Sequence, residues 1–306
     1  MIKQYTVLIT GGTGFLGSRI VTRLLAQGHK VIVIKRKKSK LDRLSGLLKK
    51  TNLSFFDYDD SLKKCFIENK IDFILHVATC YGRSSDSYTD VFLTNLVLPL
   101  ELVELGLQHS VKAFINSDTF FNIKLGLDSK ERSYITTKKL FLETATEVLK
   151  GKSLKFINMR IEQMYGPEDD EKKFVISILK DFLTNKSFLS LTKGGQKRDF
   201  IYVDDAAAAF IKVIDNYNNL KSFEEFGVGF GKSATIKNAV LKMKQLTGSS
   251  SKLKWGALPY RKNEIMDSFA NIKANKKINW KPNVSFDDGL KLTIKKLTEK
   301  YGRSNG

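Results

Sequence analysis

The run Tyr5-Thr6-Val7-Leu8-Ile9 passes almost directly into Gly11-Gly12-Thr13-Gly14, after which Phe15, Leu16, Ile20, Val21, Leu24 and Leu25 recur at helical spacing until Gly28. A β-branched run, a glycine turn and an amphipathic helix in immediate succession restrict the possible folds more than any other feature of the chain. In TGGTGFLG the residues Gly11, Gly14 and Gly17 fall three apart. Glycine at these places permits the tight turn and lets backbone approach a pyrophosphate, while the helix N-terminus offers unpaired N–H groups to the anion. Glycines also make ordinary turns, but here the strand and helix are followed by a second apolar run, Val31-Ile32-Val33-Ile34, which completes the unit that a dinucleotide needs. Gly11, Thr13, Gly14, Phe15 and Leu16 are the expected contacts of that cofactor.

The rhythm continues. Strand candidates lie near 53–56, 72–77, 112–117 and 154–159, with helical segments between most of them. Alternating strands and helices predict an α/β chain, a doubly wound parallel Rossmann sheet covered on both faces. Beyond about residue 160 the alternation loosens. GPEDDEKKF (166–174) reads as a loop leaving the sheet, 174–186 is helical in period, and RDFIYVDDAAAAFIKVID (198–215) pairs a short strand with an Ala-rich helix. Two further helices are expected at 235–247 and 286–300. The expected division is a dinucleotide-binding domain, 1–165 plus 198–227, and a smaller interleaved α/β substrate domain, 166–197 plus 228–306.

Composition excludes several classes. Two cysteines in 306 residues, Cys65 and Cys80, make no disulfide framework and are expected to be reduced thiols. No stretch approaches the roughly 20 apolar residues of a membrane span. The opening MIKQYTVLIT is too short and polar for a signal peptide, so a cytoplasmic protein is expected. The formal charge of +20 is spread along the chain, and only KRKKSK (35–40) forms a dense run. With no zinc-finger spacing and no aromatic-rich RNA signature, neither nucleic acid, a membrane nor a metal is an expected partner. An acidic small ligand accounts for local positive charge equally well.

Which dinucleotide binds is decided at the end of the second strand, where a carboxylate suits the 2′-hydroxyl of NAD and basic side chains suit the 2′-phosphate of NADP. Here that strand ends Val33-Ile34-Lys35-Arg36-Lys37-Lys38, with no acid before Asp42. A guanidinium binds a phosphate bidentately, so NADP(H) is the expected cofactor, with Arg36 as its first ligand and Lys35 as its second. The plainer alternative is a solvated basic turn.

Tyr134 and Lys138 stand four apart in YITTK, within a segment that continues as a helix, so they share one face. An ammonium beside a phenol favours the phenolate and yields a general acid/base. Upstream, VKAFINSDTFF is a strand ending in Ser117, Asp118 and Thr119, where a hydroxyl can complete a hydrogen-bonding set around a carbonyl oxygen.

Together with HVAT (76–79), Asn95, MYGP (164–167), RDFIYVDD (198–205) and INWKP (278–282), these motifs resemble the extended short-chain dehydrogenase/reductase family, the NAD-dependent epimerases and dehydratases of nucleotide-activated sugars. The resemblance spans nearly the whole chain. It implies a catalytic set of Thr119, Tyr134 and Lys138, with Ser117 the lesser choice for the hydroxyl. Lys138 would also hold the nicotinamide ribose, and Asn95 would fix a water and a helix kink near it. Asp57 and Tyr58 fall where the family contacts adenine. Val77, Ala78 and Thr79 would run along the cofactor, with His76 structural. Arg198 and Arg261 match arginines that grip the substrate diphosphate, and Gln163 stands where many relatives carry a substrate-contacting Asn. Lys173 and Phe174 would line the nucleotide pocket, and Tyr81 and Arg83 would reach the sugar. The apolar positions of 92–107 and 134–149 either form the helical bundle of a homodimer or pack on the sheet.

Three chemistries follow from the resemblance. A 4,6-dehydratase places Asp-Glu after the catalytic threonine, whereas Phe120-Phe121 follow here and move no proton. A 4-epimerase usually retains NAD and carries an acid at the second strand end. Ketoreduction with NADPH is the expected reaction, and NAD-dependent 4-epimerisation of a nucleotide sugar is the alternative. A non-catalytic NADP-binding or assembly protein would tend to lose the tyrosine or the lysine, and both are present. INSDTFF, CYGR (80–83), YITTKK and RIEQMYGPEDDEKKF are similar to the reductases of this family that make CDP-abequose and CDP-paratose for bacterial surface polysaccharides. That similarity implies a CDP-linked 3,6-dideoxyhexulose as the nucleotide-sugar substrate.

Overall fold

The computed structural model describes residues 3–58, 61–83, 86–123 and 132–301. Seven parallel strands form one sheet. Six are β1 (Thr6–Thr10), β2 (Lys30–Lys35), β3 (Leu53–Asp57), β4 (Phe73–His76), β5 (Ala113–Thr119) and β6 (Lys155–Ile161), and the last is Phe223–Val228 at the edge beyond β6. The order across the sheet is β3-β2-β1-β4-β5-β6 and then the edge strand. Strand order therefore reverses between β1 and β4, and the crevice that such a reversal opens is where ligands bind in sheets of this kind. The glycine turn leaves β1 at that point.

Continuous apolar runs make these strands because both faces are covered. Alternate side chains serve opposite layers. Val7, Ile9, Val33, Leu75, Ile115 and Ile157 pack under α1 (Phe15–Ala26) and α7 (Val203–Asn216). Leu8, Ile32, Ile74, Phe114 and Phe156 pack under α2 (Ser61–Glu68), α4 (Leu98–Gln108) and α5 (Arg132–Val148). Cys65 and Cys80 are buried free thiols. The helix ahead of α4 begins as α3 (Tyr88–Phe92) and widens into a π turn over Leu93–Val97, which contains Asn95. Both α4 and α5 lie on the sheet, and Leu93, Val97, Leu140 and Val148 project outward into solvent.

A third core joins α6 (Phe174–Leu183), α8 (Ile236–Thr247) and α9 (Phe286–Tyr301) around Tyr165, Leu189, Phe200 and Tyr202. It is built from short strand pairs that the sequence periodicity is too brief to mark: Gln163–Tyr165 with Phe200–Tyr202, Lys197–Arg198 with Ala234–Thr235, and Phe188–Ser190 with Lys252–Lys254. Its elements interleave with α7 and the edge strand, which belong to the sheet.

Candidate active site

A cleft of about 1180 Å³ runs along the carboxyl ends of the strands, from the β2 end to the third core. That volume exceeds a usual single-ligand pocket, about 300–1,000 Å³, and has room for a dinucleotide with a second ligand. Of the residues expected at the site, Gly11, Thr13, Gly14, Phe15, Leu16, Lys35, Arg36, Tyr58, Val77, Ala78, Thr79, Tyr81, Arg83, Thr119, Tyr134, Lys138, Gln163, Lys173, Phe174, Arg198 and Arg261 all line it. Asp57 and Asn95 do not.

In the turn, Gly14 N–H donates to the Gly11 carbonyl at 2.9 Å. Gly11 has φ +70°, and a Cβ there would lie 2.5 Å from the Ala78 nitrogen, so β1 and the segment after β4 touch backbone to backbone. A Cβ on Gly17 would run into the Gly11 carbonyl, so the third glycine lets α1 close on the turn. No side chain caps α1, and no acid lies in its first turn. Its N-terminal N–H groups therefore remain for an anion, which is the arrangement a dinucleotide pyrophosphate fits.

At the β2 end, Lys35 Nζ lies 2.6 Å from Asp57 Oδ1. The Asp57 carboxylate is thus engaged by Lys35 at the end of β3. The Arg36 N–H donates to Ser39 Oγ at 3.1 Å, and Arg43 donates to the Glu168 carbonyl at 2.8 Å. Lys35, Arg36, Ser39 and Arg43 together line this end. Ser39 and Arg43 are additions that sequence reasoning missed, because they come from the irregular segment after β2.

Tyr134 and Lys138 project from one face of α5. Lys138 is 1% exposed, and its Nζ donates to the Ser117 carbonyl at 2.8 Å. Burial pulls its pKa down to about 8, and the Asp118 carboxylate opposes the fall. Asp118 is itself buried, which pushes its carboxyl up, while Asn158 Nδ2 donates to it at 2.9 Å. Thr119 ends β5, and its hydroxyl accepts from Phe121 N–H at 3.3 Å. The Tyr81 and Tyr134 rings are 5.0 Å apart, and Phe120 stacks on Phe121 at 4.1 Å. His76 is buried beneath this layer with Nδ1 2.9 Å from Thr10 Oγ1, and burial drives it well toward the neutral form.

Asn95 holds structure. Its Oδ1 accepts from Cys80 N–H at 2.9 Å, and its Nδ2 donates to the Cys80 carbonyl at 2.8 Å and to Thr137 Oγ1 at 3.2 Å. The π turn around it thus fastens the strand-β4 exit to α5. Asn95→Ala leaves the buried Cys80 N–H and carbonyl unpaired, a loss of about 2–4 kcal/mol, to be read as a lower urea midpoint at unchanged slope.

On the far wall, Arg198 donates to the Lys197 and Ile265 carbonyls at 2.8 and 2.6 Å and pairs with Glu264 at 2.5 Å. Glu264 and Arg261 share one loop, and both line the cleft. Lys173 pairs with Asp169 at 2.8 Å and sits 5.5 Å from the Phe15 ring centre and 5.9 Å from that of Tyr81. It therefore stands between the glycine turn and the tyrosine layer. Arg83 lies over Tyr81 at 4.8 Å. Among the described residues, no cluster of His, Cys, Asp and Glu suits a metal, and no helix is long and apolar enough to cross a membrane.

The fold and this cleft define a dinucleotide-binding α/β protein of the short-chain dehydrogenase/reductase kind. The chain belongs to the NAD dependent epimerase/dehydratase family, whose model matches residues 7–229. It is similar to the CDP-abequose synthase of Salmonella typhimurium, 32% identical over 97% of this chain and 99% of that protein. It is also similar to the UDP-glucuronate 4-epimerase of Thermodesulfobacterium geofontis, 28% identical over 94% of each. Among solved structures, the UDP-glucose 4-epimerase of Thermotoga maritima superposes with a TM-score of 0.82 at 24% identity, covering 97% of this chain and 99% of that one. The UDP-glucuronic acid 4-epimerase of Bacillus cereus, in complex with UDP-glucuronic acid and NAD, gives 0.83 at 22%, covering 97% and 100%. At these identities the structural likeness speaks for the fold.

Proposed function

We propose that the protein reduces the 4-keto group of a nucleotide-activated hexulose with NADPH, the substrate being a CDP-linked 3,6-dideoxy sugar. The observation that carries this reading is one cleft with Lys35, Arg36 and Arg43 at one end and Thr119, Tyr134 and Lys138 at its middle. Similarity to a CDP-abequose synthase supports the sugar and the nucleotide. In this reading the substrate domain is 166–197 plus 228–306, the part of the chain that supplies α6, α8 and α9 to the third core, and Arg198 and Arg261 meet the diphosphate.

NADPH, when bound, supplies the hydride that reduces the C4 carbonyl. Tyr134 gives its phenolic proton to the carbonyl oxygen as negative charge develops there. Thr119 donates a hydrogen bond to the same oxygen. Lys138 has three N–H donors, of which one goes to Ser117, and in this reading its ammonium stabilises the phenolate that remains once Tyr134 has given up its proton. Phe120 and Phe121, where a 4,6-dehydratase places Asp-Glu, carry no proton.

Calorimetric titration with NADPH and with NADH, beside chromatography of any cofactor released on denaturation, tests the cofactor. Preferential, reversible binding of NADPH is expected, followed by oxidation of one NADPH per CDP-4-keto-3,6-dideoxyglucose. Tightly retained NAD would instead favour 4-epimerisation.

A further inference from the structure

One carboxyl group in the cleft wall has no part in the chemistry above. Glu162 follows Ile161, the strand partner of Thr119, and is 5% exposed while lining the cleft. Its backbone N–H is tied to the Val228 carbonyl at 3.0 Å, and Oε2 accepts from Ser268 Oγ at 2.8 Å. The charged groups facing it are Arg160 on its own strand and Arg198 and Asp199 on the segment that crosses above. Both arginines are engaged elsewhere, Arg160 with Glu225 at 2.6 Å and Arg198 with Glu264 at 2.5 Å. Among the described residues, no cation pairs with Glu162.

Asp199 is placed differently. Burial pushes its carboxyl up, but it accepts backbone N–H groups from Phe230, Gly231 and Ala270 at 2.8, 2.8 and 3.1 Å, and these three donors oppose the rise. Glu162 has a single hydroxyl donor and this neighbouring negative charge. Of the two acids, Glu162 has the fewer donors to hold a negative charge. Burial pushes it up to about 7; the Ser268 hydrogen bond and the two arginines oppose the rise, and Asp199 adds to it.

Resting on the reading of the cleft as a nucleotide-sugar site, we propose that Glu162 is a specificity residue that binds the sugar nucleotide as a carboxylic acid, donating its proton to an oxygen of the diphosphate–sugar portion beside Arg198. A carboxylate there would set a second negative charge beside Asp199 against an anionic ligand, whereas the acid supplies a donor. The proton comes from solvent. Binding therefore takes up one proton when Glu162 starts ionised and none when it starts protonated.

CDP-glucose and UDP-glucose, whose phosphodiesters do not titrate between pH 5.5 and 8.5, serve as probes. Calorimetry on the purified protein, in paired buffers of different ionisation enthalpy, is expected to show close to one proton taken up at pH 8 and close to none at pH 6. The dissociation constant should rise about 30-fold from pH 6 to pH 8.5, and Glu162→Gln, permanently neutral, should flatten that profile and abolish the uptake. Tight binding with no proton uptake at pH 8, or the same uptake in the variant, overturns the assignment. The wild-type uptake stands on its own should the variant fold poorly. Failure of both probes to bind at any pH overturns the nucleotide-sugar reading and the role of Glu162 with it.

Discussion

Tyr134→Phe is expected to lower turnover of the keto sugar by about 10²–10⁴-fold while NADPH binds as before. The phenolic hydroxyl is the group proposed to protonate the C4 oxygen, and Phe keeps the ring that packs 5.0 Å from Tyr81. Removal of the hydroxyl therefore subtracts the proposed proton donor while the ring packing stays. The loss should fall on kcat, because the proton moves only as charge develops on the oxygen. Lys138 then stands without its phenol, yet it stays anchored on the Ser117 carbonyl. Single-turnover kinetics at saturating NADPH check the expectation. Unchanged turnover removes Tyr134 from the mechanism.

The second large effect is on cofactor choice. Lys35→Ala combined with Arg36→Ala is expected to weaken NADPH by roughly 10- to 100-fold, chiefly from one charge-assisted phosphate contact of about 1.5–3 kcal/mol at Arg36. NADH, which has no 2′-phosphate, should change little. The two positions act by different routes. Arg36 would meet the phosphate directly, whereas Lys35 is paired with Asp57 at 2.6 Å. Lys35→Ala alone removes a cation from beside the Asp57 carboxylate at the strand end, so it should penalise NADPH by repulsion and favour NADH. Titrations of both cofactors against the single and double variants separate these routes. An equal loss for NADPH and NADH sinks the cofactor assignment.

Arg43 lies in the same corner because the loop after Gly166 reaches back across α1. Its guanidinium is held by the Glu168 carbonyl, and Arg19 meets the Glu168 carboxylate at 3.5 Å. No local pattern places residue 43 beside residue 168. The stretch 166–174 reads in sequence as a loop leaving the sheet, and in the fold its Glu168 meets α1 at Arg19 and the segment after β2 at Arg43.

Much of the architecture was nevertheless legible. The strands expected at 53–56 and 112–117 are β3 at Leu53–Asp57 and β5 at Ala113–Thr119, and the helices expected at 235–247 and 286–300 are Ile236–Thr247 and Phe286–Tyr301. Each signal is a short-range one: a β-branched apolar run buried on both faces, or apolar residues recurring along one helical stripe. The glycine spacing is of the same kind for the turn and for the packing of α1, which arise within eight consecutive residues, whereas the approach of Gly11 to Ala78 is tertiary. The four-residue interval of Tyr134 and Lys138 is another, because one helical turn alone brings them to one face.

What required the tertiary structure is the identity of each polar side chain's partner. Asp57 turns to Lys35, the Asn95 amide closes on the Cys80 backbone, and Arg198 is met by Glu264 sixty-six positions later. No local pattern marks Glu162 in sequence, and burial of the β6 end against Ser268 and Asp199 is what pushes its carboxyl up to about 7. The physical reason is the same throughout. Periodicity reports which face of an element avoids water, and the chain itself determined that. A hydrogen bond or ion pair depends on which two faces meet, on whether water is excluded there, and on how many donors reach one oxygen, and only the folded arrangement decided those.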